Sequence, residues 1–232
     1  MRLAVYFAPP SDHPLSLRAA SWLGRDAWDS RLLEPVAPVD GFDAAAIRAL
    51  TADPRRYGFH ATLKPPFHLA EGQSVDELRS CVAAFCRERQ PVLIPELRLE
   101  RIGAFFALTP TEDQPDLLAL AAGAVRNFDV FRAPPTAEEI ARRRPDRLTP
   151  RQREHLAAWG YPYVFDEFRF HMTLTGPVPE AEHEAMEVVL RARFADFIGR
   201  PLMVDALCLF VEPDPPGDFV VDTAIPLAGP GR

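Results

Sequence analysis

Apolar and polar positions along this 232-residue chain fall into short periodic runs separated by proline-rich breaks. Weak alternation with the β-formers Val5, Tyr6 and Phe7 predicts a strand over 2–8. Ser11 or Asp12, with Pro14 in the first turn, predicts a helix that Gly24 stops, and 25–40 reads as irregular loop. A short helix is expected over 43–50, ended near Pro54, followed by a strand over 59–64. Ser74 and Glu77 form a capping box for a helix to about residue 89, with Val75, Leu78, Val82 and Phe85 on one face. Strands around 92–101 and 104–109, parted by Gly103, precede a helix over 115–127.

The stretch 128–164 has a different texture. Thr136 with Glu139, and Thr149 with Gln152 and Pro150, predict two short helices parted by Pro145, the second closed by Gly160. This segment reads as a helical insert acting as a lid at the mouth of a cleft. The earlier order then returns: a strand over 168–174, a helix over 180–197, and strands over 202–212 and 218–225. Strand, helix, strand, strand thus occurs twice, at a period longer than the roughly 20–50 residues of solenoid repeats. The expected class is α+β, a two-lobed duplicated fold with antiparallel sheets lining a central cleft and helices outside.

The two returning strands share a motif. Phe59-His60-Ala61-Thr62-Leu63 and Phe170-His171-Met172-Thr173-Leu174 both read Phe-His-x-Thr-Leu, with the histidines 111 residues apart. A period of two sends Phe59, Ala61 and Leu63 one way, and His60, Thr62 and Lys64 the other. In the second copy Phe170, Met172 and Leu174 face the core, while His171, Thr173 and Thr175 face away. Two imidazoles on opposite sides of a bound group suit in-line displacement at phosphorus: one takes a proton from water, the other gives one to the departing oxygen. The threonine hydroxyls are placed to donate to non-bridging oxygens, and Lys64 to add positive charge. A zinc site needs a third ligand, and His68, His155 and His183 show no metal-binding spacing beside the motif, so no metal is expected.

Composition narrows the partners. The net charge of −7 argues against holding nucleic acid by bulk electrostatics, leaving an RNA end or a small phosphorylated ligand in a local basic pocket. With 47% hydrophobic residues the chain can bury a core without staples. Cys81, Cys86 and Cys208 lack CxxC spacing, which predicts neither disulfides nor a zinc ribbon and points to a reducing cytoplasm. No apolar run approaches the roughly 18 residues of a membrane span, and 1–10 is too short for a signal peptide. Of 26 basic residues only Lys64 is a lysine.

The paired His-x-Thr motifs resemble the 2H phosphoesterase superfamily, whose relatives include the LigT-like RNA 2′,3′-cyclic phosphodiesterases. Within it the chain resembles the DUF1045 branch, associated with phosphonate metabolism. Arg55–Lys64, Phe131-Arg132-Ala133-Pro134, Trp159-Gly160-Tyr161-Pro162-Tyr163 and Phe168–Gly176 carry that likeness. The resemblance implies a metal-independent, cofactor-free cyclic phosphodiesterase with His60, His171, Thr62 and Thr173 as its catalytic residues. A phosphoribosyl cyclic phosphate is the implied substrate. RNA 2′,3′-cyclic phosphate hydrolysis, and a non-catalytic binder of nucleotides or RNA ends, stay open as alternatives.

Substrate contacts are expected from Lys64, Tyr57, Arg132, Arg169, Tyr161, Tyr163 and Tyr6. Arg132 reads either as a clamp on a second phosphate or as the partner of a neighbouring acid. Tyr161 and Tyr163 read as stacking groups or as packing for the lid. Arg142, Arg143, Arg144, Arg147, Arg151 and Arg153 read as a solvated helical face, through Glu138–Arg142 and Glu139–Arg143 pairs. Cys81 and Cys86 read as bystanders. A cytoplasmic monomer acting on a small molecule, away from membranes, is the expectation.

Overall fold

The computed structural model describes residues 1–34, 38–39 and 41–229, so positions 35–37 and 40 of the expected loop lie outside the described residues. In chain order the elements are β1 (Arg2–Phe7), α1 (Pro14–Leu23), α2 (Ala44–Leu50), α3 (Ala52–Tyr57), β2 (Ala61–Phe67), α4 (Val75–Arg87), β3 (Val92–Ile94), β4 (Leu97–Ile102) and β5 (Phe105–Pro110). There follow α5 (Pro115–Phe128), α6 (Ala137–Arg142), α7 (Pro150–Trp159), β6 (Met172–Thr173), α8 (His183–Arg193), β7 (Leu202–Val204), β8 (Ala206–Glu212) and β9 (Val220–Pro226). A seven-stranded sheet runs β4-β5-β6-β2-β1-β8-β9, and β3 pairs with β7 in a second, two-stranded sheet. Every pairing is antiparallel. The α+β class and the duplicated order stand, with the two motif strands adjacent inside one continuous sheet.

The period-two reading of the motif strands holds. Phe59, Ala61, Leu63, Phe170, Met172 and Leu174 are all buried in the main core, with Leu78, Val82 and Phe85 of α4. Each large apolar side chain among them contributes roughly 1.5–3 kcal/mol by leaving water. β1 is buried on both faces, which accounts for its weak alternation. Leu3, Val5 and Phe7 join the main core, and Ala4, Tyr6 and Ala8 join a smaller cluster with Phe210 and Phe219 on the opposite face. Trp22 of α1 donates its indole N–H to the Leu174 carbonyl at 2.8 Å, tying the first helix to the second motif.

All three predicted capping boxes form, at Ser74–Glu77, Thr136–Glu139 and Thr149–Gln152. Other local expectations are corrected. His13, not Ser11 or Asp12, caps α1 by accepting the Leu15 N–H. The strands expected over 92–101 and 202–212 each divide, at 95–96 and at Asp205, so that their first parts pair as β3 and β7. α8 stops at Arg193 rather than 197. The motif strands are displaced: His60 precedes β2, and the second strand shrinks to Met172–Thr173. In both copies the histidine ring binds the carbonyl two residues upstream, a local side-chain contact at the start of the strand.

A candidate active site between the two histidine strands

A single ladder pair, Ala61 with Met172, joins β2 to β6. These are equivalent positions of the two motifs, so the local symmetry of the repeat passes between them. An antiparallel register then sets His60 opposite Thr173 and Thr62 opposite His171. Each histidine thereby shares a cavity with the other copy's threonine. Two adjoining cavities reflect this: one of about 250 Å³ is lined by His60, Thr173 and Tyr57, the other, of about 400 Å³, by His171, Thr62, Tyr161 and Tyr163. Phe105 of β5 borders both.

The rings are oriented alike. His60 Nδ1 lies 2.9 Å from the Gly58 carbonyl, and His171 Nδ1 lies 2.8 Å from the Arg169 carbonyl. A carbonyl only accepts, so each Nδ1 carries the hydrogen and each Nε2 of the neutral ring is left as an acceptor. His60 Nε2 accepts from the Thr62 hydroxyl at 3.2 Å. Among the described residues His171 Nε2 has no hydrogen-bond partner. Burial lowers the pKa of His60 to about 4, against a small opposing effect of the Gly58 carbonyl, and charge on His171 lowers it further. His171 is also lowered, first by burial. His60 is therefore the ring held neutral most firmly.

Gly58 makes this geometry available. Its φ is +73°, and a Cβ there would stand 2.3 Å from the Ala27 Cβ. Tyr6 stacks on the His60 ring from β1, with centroids 3.8 Å apart, and is itself fully buried. Tyr57 lies 6.2 Å from His60 and is stacked on Phe219. Tyr161 and Tyr163 meet edge to face at 5.5 Å, and Arg169 borders the same cavity as His171 while pairing with Glu100 at 2.5 Å. All four tyrosines of the chain thus gather around the two histidines.

Lys64, Arg132 and Thr175 are placed differently from the expectation. The pairing of β1 with β2 steps from Tyr6–Thr62 to Val5–Lys64, leaving Leu63 as an extra residue. That bulge turns Lys64 to the core side, where its ammonium lies 3.0 Å from Asp129 and is almost wholly buried. Arg132 forks onto the same carboxylate, at 2.8 and 3.1 Å, and also donates to the Ala158 carbonyl. Lys64 is thereby an internal cation, and Arg132 a tie between α7 and the body. Thr175 is buried and accepts the Phe106 N–H at 3.0 Å.

The 128–164 insert reaches the site through Tyr161, Tyr163 and Val164. Its arginines are partly paired: Arg142 with Glu138, and Arg151 with Asp166 and Glu154. The expected Glu139–Arg143 pair is absent, because Glu139 caps Thr136 and faces His68 at 3.6 Å. Arg143 instead lies over the Tyr161 ring at 4.9 Å. Arg2 and Arg56 border the groove beside it, and both pair with the buried Glu212. Sequence reasoning missed Arg2, Arg56 and Glu212 as a group, since they are brought together only by the sheet. No helix is long and apolar enough to cross a membrane, and no group of three or more His, Cys, Asp or Glu is placed to hold a metal, among the described residues.

Comparison with known proteins adds relatives. Two proteins named ribose 1,5-bisphosphate phosphokinase PhnN are similar. The one from Janthinobacterium sp. (strain Marseille) is 38% identical over 100% of this chain and 52% of its own length. The one from Laribacter hongkongensis (strain HLHK9) is 36% identical over 92% of this chain and 49% of its own length. The chain therefore spans about half the length of these curated relatives. Among solved structures, TT0787 of Thermus thermophilus is similar with a TM-score of 0.48 at 18% identity, covering 99% of both chains. E. coli LigT complexed with NADP+ gives 0.43 at 12% identity, covering 97% of this chain and 96% of its own. The profile of the family described as "Protein of unknown function (DUF1045)" matches residues 62–220, from Thr62 through the second histidine motif. The chain belongs to the DUF1045 family, the family that its doubled motif resembles.

Proposed function

We propose that this chain hydrolyses a cyclic phosphodiester by acid–base catalysis at His60 and His171, without a metal. The observation that carries this reading is the pairing of Ala61 with Met172, which sets the two histidine motifs side by side, with Thr173 lining the His60 cavity and Thr62 the His171 cavity. Neutral His60 takes a proton from the attacking water as the water oxygen bonds to phosphorus. Protonated His171 gives its proton to the sugar oxygen as the ring P–O bond breaks, leaving a phosphomonoester and a free hydroxyl. Thr62 and Thr173 donate to the non-bridging oxygens as charge gathers there.

The substrate we favour is a phosphoribosyl cyclic phosphate. The name of the two curated relatives supports a ribose bisphosphate in the same chemical neighbourhood. Their named kinase activity is said of proteins about twice this length. This chain has one lysine, in Leu63-Lys64-Pro65, and no Gly-x₄-Gly-Lys-Ser/Thr loop of the kind that cradles nucleotide phosphates. The test is a panel of phosphoribosyl 1,2-cyclic phosphate, 2′,3′-cyclic nucleotides and cyclic-phosphate RNA, followed by phosphorus NMR in chelator. Opening of the small ester is expected. Activity that vanishes with EDTA and returns with zinc would overturn the mechanism, and preference for RNA would overturn the substrate.

A further inference from the structure

We propose that the arginine-lined groove beside the two-histidine cavities binds a second, terminal phosphate of the substrate, with Arg143 as its main contact. The inference rests on the phosphodiesterase reading and specifies its substrate: a small sugar cyclic phosphate that also carries a phosphomonoester.

The groove encloses about 560 Å³ and is bordered by Arg2, Arg56, Arg132 and Arg143. Its charge is built from shared carboxylates. Glu212, with no exposed surface, serves both Arg2 and Arg56, so that cluster keeps one positive charge in excess. Its carboxyl is held at about 2, with the arginines and the Gly217 N–H outweighing burial. Asp129 likewise serves both Lys64 and Arg132 and leaves a second excess charge. Arg143 is a third, with no carboxylate in salt-bridge reach among the described residues. Against these stand Glu138, already paired with Arg142, and Glu139, turned to His68. A local surplus of this kind, in a chain of net charge −7, selects an anion.

Position ties the groove to the chemistry. Tyr57 carries the Arg56 guanidinium over its ring at 5.2 Å and lines the His60 cavity. Tyr161 carries Arg143 at 4.9 Å and lines the His171 cavity. One tyrosine ring thus separates each arginine from each histidine pocket, a span suited to a single sugar between two phosphates. Arg132, whose fork is filled by Asp129, is a wall of this subsite; Arg143 is the guanidinium with donors to offer.

The test compares ribose 1,2-cyclic phosphate with and without a 5-phosphate, on wild type and Arg143→Gln. The variant is expected to raise KM for the phosphorylated compound about 10- to 100-fold, and to shrink the preference between the two substrates by the same factor. In parallel, ribose 5-phosphate is expected to raise the Tm of wild type and of His171→Ala, but not of Arg143→Gln. Equal KM changes on both substrates, or a ribose 5-phosphate shift that survives Arg143→Gln, would overturn the subsite while leaving the hydrolase standing. An Arg143-dependent shift with no turnover of any cyclic phosphate would support the subsite and overturn the hydrolase. Faster cleavage of a cyclic-phosphate oligoribonucleotide than of the phosphorylated sugar would overturn the small-ligand assignment.

Discussion

Tyr6 lies flat against His60, their ring centroids 3.8 Å apart and their planes 20° apart. The tyrosine comes from a central strand and is buried, so it seals one face of the imidazole from water while leaving the Nε2 edge to the Thr62 hydroxyl. This contact belongs to the burial that lowers His60 to about 4. Replacing Tyr6 by Leu admits water to the ring and should raise the His60 pKa by about one to two units, read by NMR titration of the ring protons. Tyr6→Phe keeps the stack and should leave the value near that of wild type. No rise in the Leu variant would remove Tyr6 as a cause.

The two lowered histidines also fix where activity and stability lie on the pH axis. The proposed mechanism needs one neutral and the other charged, and burial lowers both below the ordinary 6.5. The profile of kcat/KM should be a bell with its maximum between about pH 4 and 6.5, whichever ring each limb belongs to. For folding, a lowered histidine means that the unfolded chain binds more protons between the two values. Stability from neutral His60 is complete above about pH 6.5 and is lost as pH falls toward about 4. Thermal melts from about pH 7 to 4 should show a shallower acid loss in His60→Asn than in wild type.

His60→Ala and His171→Ala should each lower kcat by about 10²–10⁴-fold, with melting temperatures near wild type at neutral pH. Near wild-type turnover in either variant on the true substrate would refute the two-histidine scheme. Thr62→Val and Thr173→Val should cost about 10²-fold each if their hydroxyls meet the developing charge.

Gly58→Ala should destabilise by about 2–4 kcal/mol, because the residue has positive φ and its Cβ would meet the Ala27 side chain. The folded fraction should also lose turnover, since the Gly58 carbonyl holds His60 Nδ1. Chemical denaturation and active-site titration separate the two effects.

Asp129→Asn leaves the Lys64 ammonium and the Arg132 guanidinium facing one another without their shared carboxylate. A loss of about 3–5 kcal/mol is expected on denaturation. Adding Lys64→Met, which fills the site without charge, should recover part of it. No recovery would mean that the lysine is not the strained partner.

The apolar halves of both motifs are legible in the sequence because period-two alternation reports burial directly, as at Phe59, Ala61 and Leu63. The capping boxes are legible because their donors and acceptors lie three residues apart. Lys64 escapes the pattern for a physical reason: the extra residue Leu63 reverses the alternation, and a bulge is specified by the neighbouring strand. The Arg2–Glu212–Arg56 cluster is invisible for the same kind of reason, since its members meet only when β1 and β8 pair. Arg143 stands in a run of similar arginines, and only the caps of α6 decide that it, rather than Arg142, turns toward a tyrosine.

Repetition of a motif within one chain ordinarily supplies a spare. If the two histidines work together as proposed, the pairing of Ala61 with Met172 denies one here, because it joins the two copies into a single site rather than two parallel ones. On the proposed mechanism a lesion in either copy is expected to remove the whole activity, not half of it, with neither histidine standing in for the other. Selection on such a chain is therefore as strict at each repeat as on a protein that never repeated, while everything outside the seam is free to diverge.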